Sequence, residues 1–373
     1  MFRILQWALK SLLLVSGILP FMRCAQGYQE KDGVKTYNGE AVTDKDLVLL
    51  NEAFAKDSGH AYYKQHAIAG ADAASFVAVD LSYAKDAAKV YYCDEQRDGR
   101  NYYLSKYQVI KTVAGADAPS FTALEAGYCK DRLQAYYGGQ AFRVKDLASL
   151  TGINAHFAKD NVQAYFNCKP IPGSDGKTFT LLDDAFAKDS GHIYYYADQG
   201  SVKESVFVLP CNSASFKVLA YPFSKDDVHV FYRQQPIAGA DAATFTVLSN
   251  GYAKDKNAVY IHAKKISGAA VDSFVVLTGE ELTSEDYYSK DHDAVYWYDK
   301  KLATASPSSF TALGHGYATD GKRIYYKTGL LANANAATFR VYPHDMGNAD
   351  ATDATNQFHR GKMAGEEDTN FSY

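Results

Sequence analysis

The chain has 373 residues and a formal net charge of −4, and 50 of its residues are tyrosine or phenylalanine. This length is enough for one or more domains with sizeable cores. Its lysines and arginines form no dense basic face or run, which argues against nucleic acid as a partner.

The first 27 residues have the layout of a secretory signal peptide. Arg3 and Lys10 precede an apolar run over residues 11–22, and no acidic residue occurs in the segment. The run is shorter than the roughly 20 apolar residues of a membrane span. Small residues at Ala25 and Gly27 predict cleavage before Tyr28, with an uncleaved anchor as the alternative. The sequence thus predicts an exported protein in the periplasm, the cell envelope or the extracellular space.

Cys24 lies within this segment and raises the alternative of a lipoprotein. The preceding residues 21–23 (Phe-Met-Arg) fit poorly, because a lipid-attachment site has small residues just before its cysteine. Removal of the segment would take away three basic residues and no acid, which lowers the net charge from −4 to −7. The mature protein is predicted to be mildly acidic.

A four-residue motif recurs along the rest of the chain: an aromatic residue, any residue, lysine or threonine, and aspartate. Its aspartates are Asp57, Asp86, Asp131, Asp160, Asp189, Asp226, Asp255, Asp291 and Asp320. Five of the eight gaps between neighbouring aspartates are 29 residues long. A fixed period with a few longer gaps indicates duplicated units that carry loop insertions.

The best copies predict the structure of one unit. Residues 245–248, 252–254 and 259–261 are short segments rich in β-branched or aromatic residues, which predicts three strands of a few residues each. The motif aspartate is expected to form the turn that follows it. Between motifs, a Gly-Ala-Asp-Ala-x-[Ser/Thr]-Phe element predicts one helical turn that starts at an aspartate cap and ends at a core phenylalanine. The caps would be Asp72, Asp117 and Asp241, and the phenylalanines Phe76, Phe121 and Phe245.

The ends and insertions of the array follow in chain order. Residues 28–50 hold an irregular first copy, and longer loops are expected near residues 94–105, 198–205 and 278–286. Residues 28–342 would form the array. Residues 343–373 are predicted to be a degenerate capping copy, with Asp353 in the motif position and Phe371 in that of the core phenylalanine.

The repeated motif resembles that of the DKNYY family of uncharacterised bacterial proteins. The resemblance rests on residues 255–260 (Asp-Lys-Asn-Ala-Val-Tyr), 86–92 (Asp-Ala-Ala-Lys-Val-Tyr-Tyr) and 291–296 (Asp-His-Asp-Ala-Val-Tyr), and it extends over the mature chain. It implies an exported or envelope-associated bacterial repeat protein. It assigns no catalytic or binding role to any residue.

Four cysteines follow the leader: Cys93, Cys129, Cys168 and Cys211. An even number in an exported chain indicates disulfides, for which three pairings exist. Their spacing of about one unit favours Cys93 with Cys129 and Cys168 with Cys211, and four free or buried thiols are the alternative. A metal site is not expected, because no Cys-x-x-Cys or adjacent histidine pair occurs.

Tyrosine doublets are the most prominent feature with a possible binding role. Neighbouring residues of a strand point to opposite faces, so one ring would enter the core while the other joined a partly exposed ladder able to bind sugars or proteins. The favoured interpretation is that both faces are packed, because the doublets follow the repeat rather than gathering in one place. The motif aspartates are interpreted as turn residues, because calcium would need several oxygens converging on one ion. No catalytic motif is present, so we expect neither enzyme activity nor a cofactor.

These observations predict an all-β protein: a tandem, solenoid-like array of about ten units. Closure into a propeller, or two β domains with a break near residues 198–212, are the alternatives. The predicted function is a structural or interaction scaffold of the bacterial cell envelope. The alternative is a carbohydrate or cell-wall binding module that uses exposed tyrosines. The expected partner is thus an envelope protein or a cell-wall glycan, with binding residues unassigned.

Overall fold

The computed structural model describes residues 27–97, 106–197, 205–278, 286–342 and 349–363. In this part of the chain the protein is all-β, as predicted, and consists of one three-stranded and ten four-stranded antiparallel sheets. The chain divides into two compact units, Met1–Phe179 and Thr180–Tyr373. This division precedes the segment 198–212 at which the sequence suggested a break. The predicted signal peptide and Cys24 lie outside the described residues, apart from Gly27.

The first unit contains sheets 1 to 5, which we number in chain order. Sheet 1 is formed by Tyr28–Lys31, Val34–Tyr37 and Glu40–Ala41; sheet 2 by Val48–Leu49, Phe54–Lys56, Ala61–Tyr63 and His66–Ala67; sheet 3 by Val77–Ala78, Tyr83–Lys85, Val90–Arg97 and Lys106–Thr112; sheet 4 by Thr122–Ala123, Cys129–Lys130, Ala135–Tyr137 and Gln140–Phe142; and sheet 5 by Thr151–Gly152, Phe157–Lys159, Ala164–Phe166 and Lys169–Pro170. Two 3₁₀ helices occur among the described residues of this unit, Ala118–Ser120 and Glu125–Gly127.

The second unit contains sheets 6 to 11. Sheet 6 is formed by Thr180–Leu181, Phe186–Lys188, Ile193–Ala197 and Ser205–Leu209; sheet 7 by Lys217–Val218, Phe223–Lys225, Val230–Tyr232 and Gln235–Pro236; sheet 8 by Thr246–Val247, Tyr252–Lys254, Val259–Ile261 and Lys264–Lys265; sheet 9 by Val275–Val276, Tyr288–Lys290, Val295–Trp297 and Lys300–Leu302; sheet 10 by Thr311–Gly314, Tyr317–Thr319, Ile324–Tyr326 and Gly329–Leu331; and sheet 11 by Arg340–Val341, Ala351–Thr352, Gln357–His359 and Lys362–Met363. A 3₁₀ helix spans Pro307–Ser309.

Each four-stranded sheet is a meander in which consecutive strands pair. The sequence predicted three strands per unit and missed the fourth, for example Lys264–Lys265 in sheet 8. That strand has two exposed, polar residues and therefore no β-like pattern to detect. It is joined to the third strand by a tight hairpin, whose first residue, His262, has a φ of +55°.

Three of the four strands of sheet 11 lie in residues 343–373, the predicted capping copy, and the first strand, Arg340–Val341, lies just before it. Asp353 follows its second strand, Ala351–Thr352, and is buried like the motif aspartates of the regular sheets. Phe371 lies outside the described residues. The predicted helical turns are single turns, and the one after Asp117 is the 3₁₀ helix Ala118–Ser120, whose Ser120 N–H donates to the Asp117 side chain.

Both faces of a sheet are packed, which the third strand of sheet 3 illustrates. Tyr91 lies in one core with Phe76, 5.9 Å between ring centroids, whereas Val90 lies in the next core with Phe121. The second ring of the doublet, Tyr92, packs at 5.1 Å against Tyr83. A tyrosine doublet thus serves two cores rather than a core and an exposed ladder.

The same alternation separates the cysteines expected to form a disulfide. Cys93 lies two residues after Tyr91 and therefore shares its core, whereas Cys129 lies in the core of Tyr83 and Tyr136. A disulfide needs both Cβ atoms on the same side within a few ångströms, which these positions do not provide. Cys168 and Cys211 are also free thiols, so neither predicted disulfide is present among the described residues.

One hairpin offers a direct test of the packing between neighbouring sheets. Gly138 and Gly139 have φ values of +57° and +73°. A Cβ on Gly139 would lie 2.7 Å from Tyr92 Cγ, whereas a Cβ on Gly138 would meet nothing within 4 Å. Gly138→Ala should therefore cost only the left-handed backbone penalty, roughly 1 kcal/mol. Gly139→Ala should cost about 1 to 3 kcal/mol more through overlap.

Urea unfolding of both variants, followed by circular dichroism, measures the difference. Equal destabilisation by the two substitutions would contradict the close contact between this hairpin and Tyr92.

Candidate functional site

The motif aspartates are buried, apart from the half-buried Asp57, although each carries a carboxylate. Asp255 shows how they are accommodated. Its Oδ1 accepts hydrogen bonds from the backbone N–H groups of Asn257 at 2.7 Å and Ala258 at 2.8 Å. These bonds hold the turn between the second and third strands. Asp353 makes the same two bonds in sheet 11, with Thr355 and Asn356.

The second carboxylate oxygen binds two other segments. Asp255 Oδ2 accepts the Tyr260 hydroxyl at 2.9 Å and the backbone N–H of Asp241 at 2.7 Å. Tyr260 lies on the next strand, and Asp241 begins the helical turn that precedes this sheet. The same contact with a preceding turn is made by Asp86, Asp131, Asp160, Asp226, Asp291 and Asp353.

The motif lysine binds the opposite end of a helical turn. Lys56 Nζ donates to the carbonyl oxygens of Ala74 at 3.3 Å and Phe76 at 3.0 Å. The first N–H of this same turn, from Asp72, donates to Asp86 Oδ2 at 3.1 Å. Each such turn is therefore held between the lysine of the preceding motif and the aspartate of the following motif, an arrangement we call the turn clamp.

Equivalent lysine contacts recur in both units. They are made by Lys85, Lys130, Lys159, Lys225, Lys254 and Lys290. The charges complement the backbone dipoles of the turn. The carboxylate accepts hydrogen bonds from N–H groups at the start of the turn, and the ammonium group donates to carbonyl groups towards its end. The adjacent lysine and aspartate of the motif thus act on two different turns.

Hydrogen bonding keeps the buried aspartates ionised. Burial alone raises the pKa of Asp255, but hydrogen bonds from Asp241, Asn257, Tyr260 and Ala258 outweigh it and the net pKa is lowered. For Asp226 burial is likewise the largest single effect, yet bonds from the backbone of His229, Asn212 and Val228 lower its pKa to about 2. Carboxylates that accept several N–H bonds have such low pKa values.

The first aromatic residue of the motif adds a bond between neighbouring sheets at Tyr83, Tyr252 and Tyr288, whereas the buried hydroxyl of Tyr128 has no hydrogen-bond partner. Tyr83 Oη accepts the N–H of Gly139 at 2.7 Å, and Tyr252 Oη donates to the carbonyl of Tyr287 at 2.6 Å. Tyr288 Oη donates to the carbonyl of Gly316 at 2.9 Å. This role was not predicted from the sequence, although tyrosine in place of phenylalanine at this position was a usable signal.

Each unit also contains an open cavity between hairpins. The first, of about 650 Å³, is lined by residues including Tyr37, Tyr63, Lys64, Glu95 and Lys106. Glu95 pairs with Lys106 at 2.7 Å and with Lys64 at 3.3 Å, so these charges are largely compensated.

The cavity of the second unit, about 680 Å³, is lined by Tyr287, Trp297, Tyr298, His315, Gly316, Tyr326, Lys327, Asp350 and Arg360, and we call it the Trp297 cleft. Among the described residues, no three or more His, Cys, Asp or Glu side chains form a group able to hold a metal ion. That part of the chain also contains no helix of sufficient length and apolarity to cross a membrane.

Removal of one motif aspartate should destabilise the protein strongly. Asp255→Ala leaves four donors without their acceptor, including the buried hydroxyl of Tyr260. We expect a loss of at least about 2 kcal/mol in unfolding free energy. The control Asp272→Ala removes an exposed carboxylate and should change stability by less than about 0.5 kcal/mol. Similar urea midpoints for the two variants would contradict the clamp.

The lowered pKa values predict a loss of stability in acid. Asp226 and Asp353 have a folded-state pKa of about 2, against an ordinary value of 3.8. Their stabilising contribution is therefore complete above pH 4 and lost as the pH falls from about 4 to 2. Urea midpoints measured from pH 7 to pH 2 should fall in that window, and a constant midpoint would show that these aspartates are not stabilised as anions.

The comparisons with known proteins agree with the repeated architecture. The model of the DKNYY family matches three times, over residues 8–95, 96–233 and 223–362. No curated protein matches the chain, and no solved structure does. The three matches include all ten aspartates of the turn-forming positions, from Asp57 to Asp353. The chain is therefore a repeat protein of the DKNYY family.

Proposed function

We propose that this DKNYY protein is an exported interaction scaffold of the bacterial cell envelope, without catalytic activity of its own. The observation that carries the proposal is a pair of long strands at sheet edges. The outermost strands of the other described sheets have two to four residues, whereas Lys106–Thr112 has seven and Ser205–Leu209 has five. An edge strand exposes unpaired backbone groups that can accept a strand from another chain.

The edge strand of the second unit also exposes apolar side chains. Phe207 and Val208 are 38% and 50% exposed on the strand Ser205–Leu209. In the first unit, Tyr107 is 50% exposed on Lys106–Thr112. Exposed apolar side chains on an edge strand suit an extended segment of a protein partner.

The repeated residues support a structural role for the array itself. Neighbouring turns and strands are bound by the motif lysines, by the motif aspartates and by the first tyrosine of each doublet. The two long edge strands are not repeated in this way, so they distinguish their sheets from the others. Export rests on the basic and apolar pattern of the first 27 residues, of which the structure describes only Gly27. The alternative of an exposed tyrosine ladder for glycans is weakened, because both rings of the doublet at Tyr91 and Tyr92 pack against other rings.

A capture experiment tests the proposal. The purified mature chain and the variants Val208→Lys and Val228→Lys would be used to retain proteins from an envelope fraction. Val208 lies on the long edge strand, whereas Val228 is 64% exposed in a motif turn and serves as the matched control. Because a charge in the centre of an interface is costly, we expect Val208→Lys to weaken retention of a defined partner about tenfold or more.

The control variant should retain that partner like the unaltered chain. Equal retention by both variants would contradict an interface on this edge strand, and retention on isolated cell-wall material alone would favour the glycan-binding alternative.

A further inference from the structure

We propose that the Trp297 cleft and the aromatic side chains that continue from it bind an acidic glycan, a sugar polymer that carries carboxylate groups. This site is separate from the long edge strand Ser205–Leu209 and goes beyond the proposed scaffold role. Three features of the second unit support it: a continuous row of rings, the residues at the hairpin tips, and the charge of the exposed groups.

The rings form a row along sheets 7 to 9. Tyr232 contacts His262 at 4.8 Å between ring centroids, and His262 contacts Tyr298 at 5.6 Å. Tyr298 lies 4.0 Å from Tyr287, which contacts Trp297 edge to face at 6.1 Å. The three tyrosines and the histidine of this row are half-buried, so each exposes part of its ring to solvent. Rows of amphipathic rings suit sugars, which present apolar C–H faces and hydroxyl groups together.

The hairpin tips add large side chains at positions that disfavour them. Arg233, His262, Tyr298, Lys327 and Arg360 all have φ values between +48° and +56°. A left-handed conformation costs a residue with a side chain roughly 1 kcal/mol, and glycine or asparagine would adopt it more readily. At the equivalent positions of the first unit, sheets 4 and 5 have Gly138 and Asn167, and only sheet 2 among these three has a long side chain, Lys64, with a φ of +45°. Strained residues that recur at one surface indicate a functional use.

The exposed charges of the cleft are cationic. Lys327 and Arg360 are exposed, and Lys327 Nζ lies 5.2 Å from the centroid of the Tyr326 ring. The one acidic residue among the described residues of the lining, Asp350, is buried. Its carboxylate accepts hydrogen bonds from the Tyr317 hydroxyl at 2.7 Å and from the backbone N–H of Arg360 at 2.8 Å. Asp350 therefore holds the hairpin, while the two cations are available to a ligand carboxylate.

The cavity of the first unit resembles this cleft but differs from it in charge. Lys64 occupies the same hairpin position as Lys327 and lies 5.5 Å from the Tyr63 ring centroid. Its charge is compensated by Glu95, which also pairs with Lys106. The first cavity thus combines aromatic rings with a compensated charge, which makes Lys64 a matched control for Lys327.

The test uses the full mature chain with polygalacturonate, a polymer of uronic acids, by affinity electrophoresis and by the fluorescence of Trp297. Neutral dextran and polyglutamate are the comparison ligands, since the first lacks carboxylates and the second lacks sugar rings. We expect polygalacturonate to retard the protein and to change its fluorescence. Lys327→Gln with Arg360→Gln should weaken this binding about tenfold or more, because charge-assisted hydrogen bonds are lost.

Lys64→Gln should leave binding unchanged. The melting temperature of the variant with both cleft substitutions should match that of the unaltered chain, since Lys327 and Arg360 are exposed. Three results would overturn the proposal: no binding of polygalacturonate, equal binding of polyglutamate or dextran, or equal weakening by Lys64→Gln. None of these results bears on the edge-strand interface, so the two proposals can fail separately.

Discussion

A buried carboxylate that accepts hydrogen bonds from three separate segments is the interaction on which this structure depends. In sheet 8, Asp255 binds its own turn, the hydroxyl of Tyr260 on the next strand and the N–H of Asp241 in the preceding turn. Strands of two or three residues have too few ladder bonds to be stable alone. The carboxylate supplies the missing connections and links each sheet to the turn that leads into it.

The turn clamp also explains why lysine and aspartate are adjacent in the motif. Lys225 binds the carbonyl of Ala242 in the following turn, while Asp226 binds the N–H of Asn212 in the preceding one. One dipeptide therefore joins two successive turns along the chain. These residues are fully used in holding the repeats together. In the proposed functions, recognition therefore falls to what differs among repeats, namely the long edge strands and the hairpin tips.

The sequence predicts much of a unit because its turn chemistry is local. The aspartate turn and the alternation of the tyrosine doublets follow from side-chain hydrogen bonding and strand geometry. The fourth strand of a unit, such as Lys264–Lys265, could not be predicted, because two polar residues show no pattern typical of a β-strand. The predicted disulfide of Cys93 with Cys129 is wrong because the two side chains lie in different cores. A shift of one residue along a strand decides which core a side chain enters, and the sequence pattern does not fix that shift. The Trp297 cleft could not be predicted, because its lining comes from separate hairpins.

Amide hydrogen exchange of the Asp255→Ala variant tests the central claim most directly. The turn clamp predicts faster exchange in two places: at Asn257 and Ala258 in the same turn, and at Asp241, 14 residues earlier. The turn at Asp117 in the first unit, held by Asp131, should keep its protection. Loss of protection confined to Asn257 and Ala258 would show that the aspartate serves its own turn only and would contradict the account.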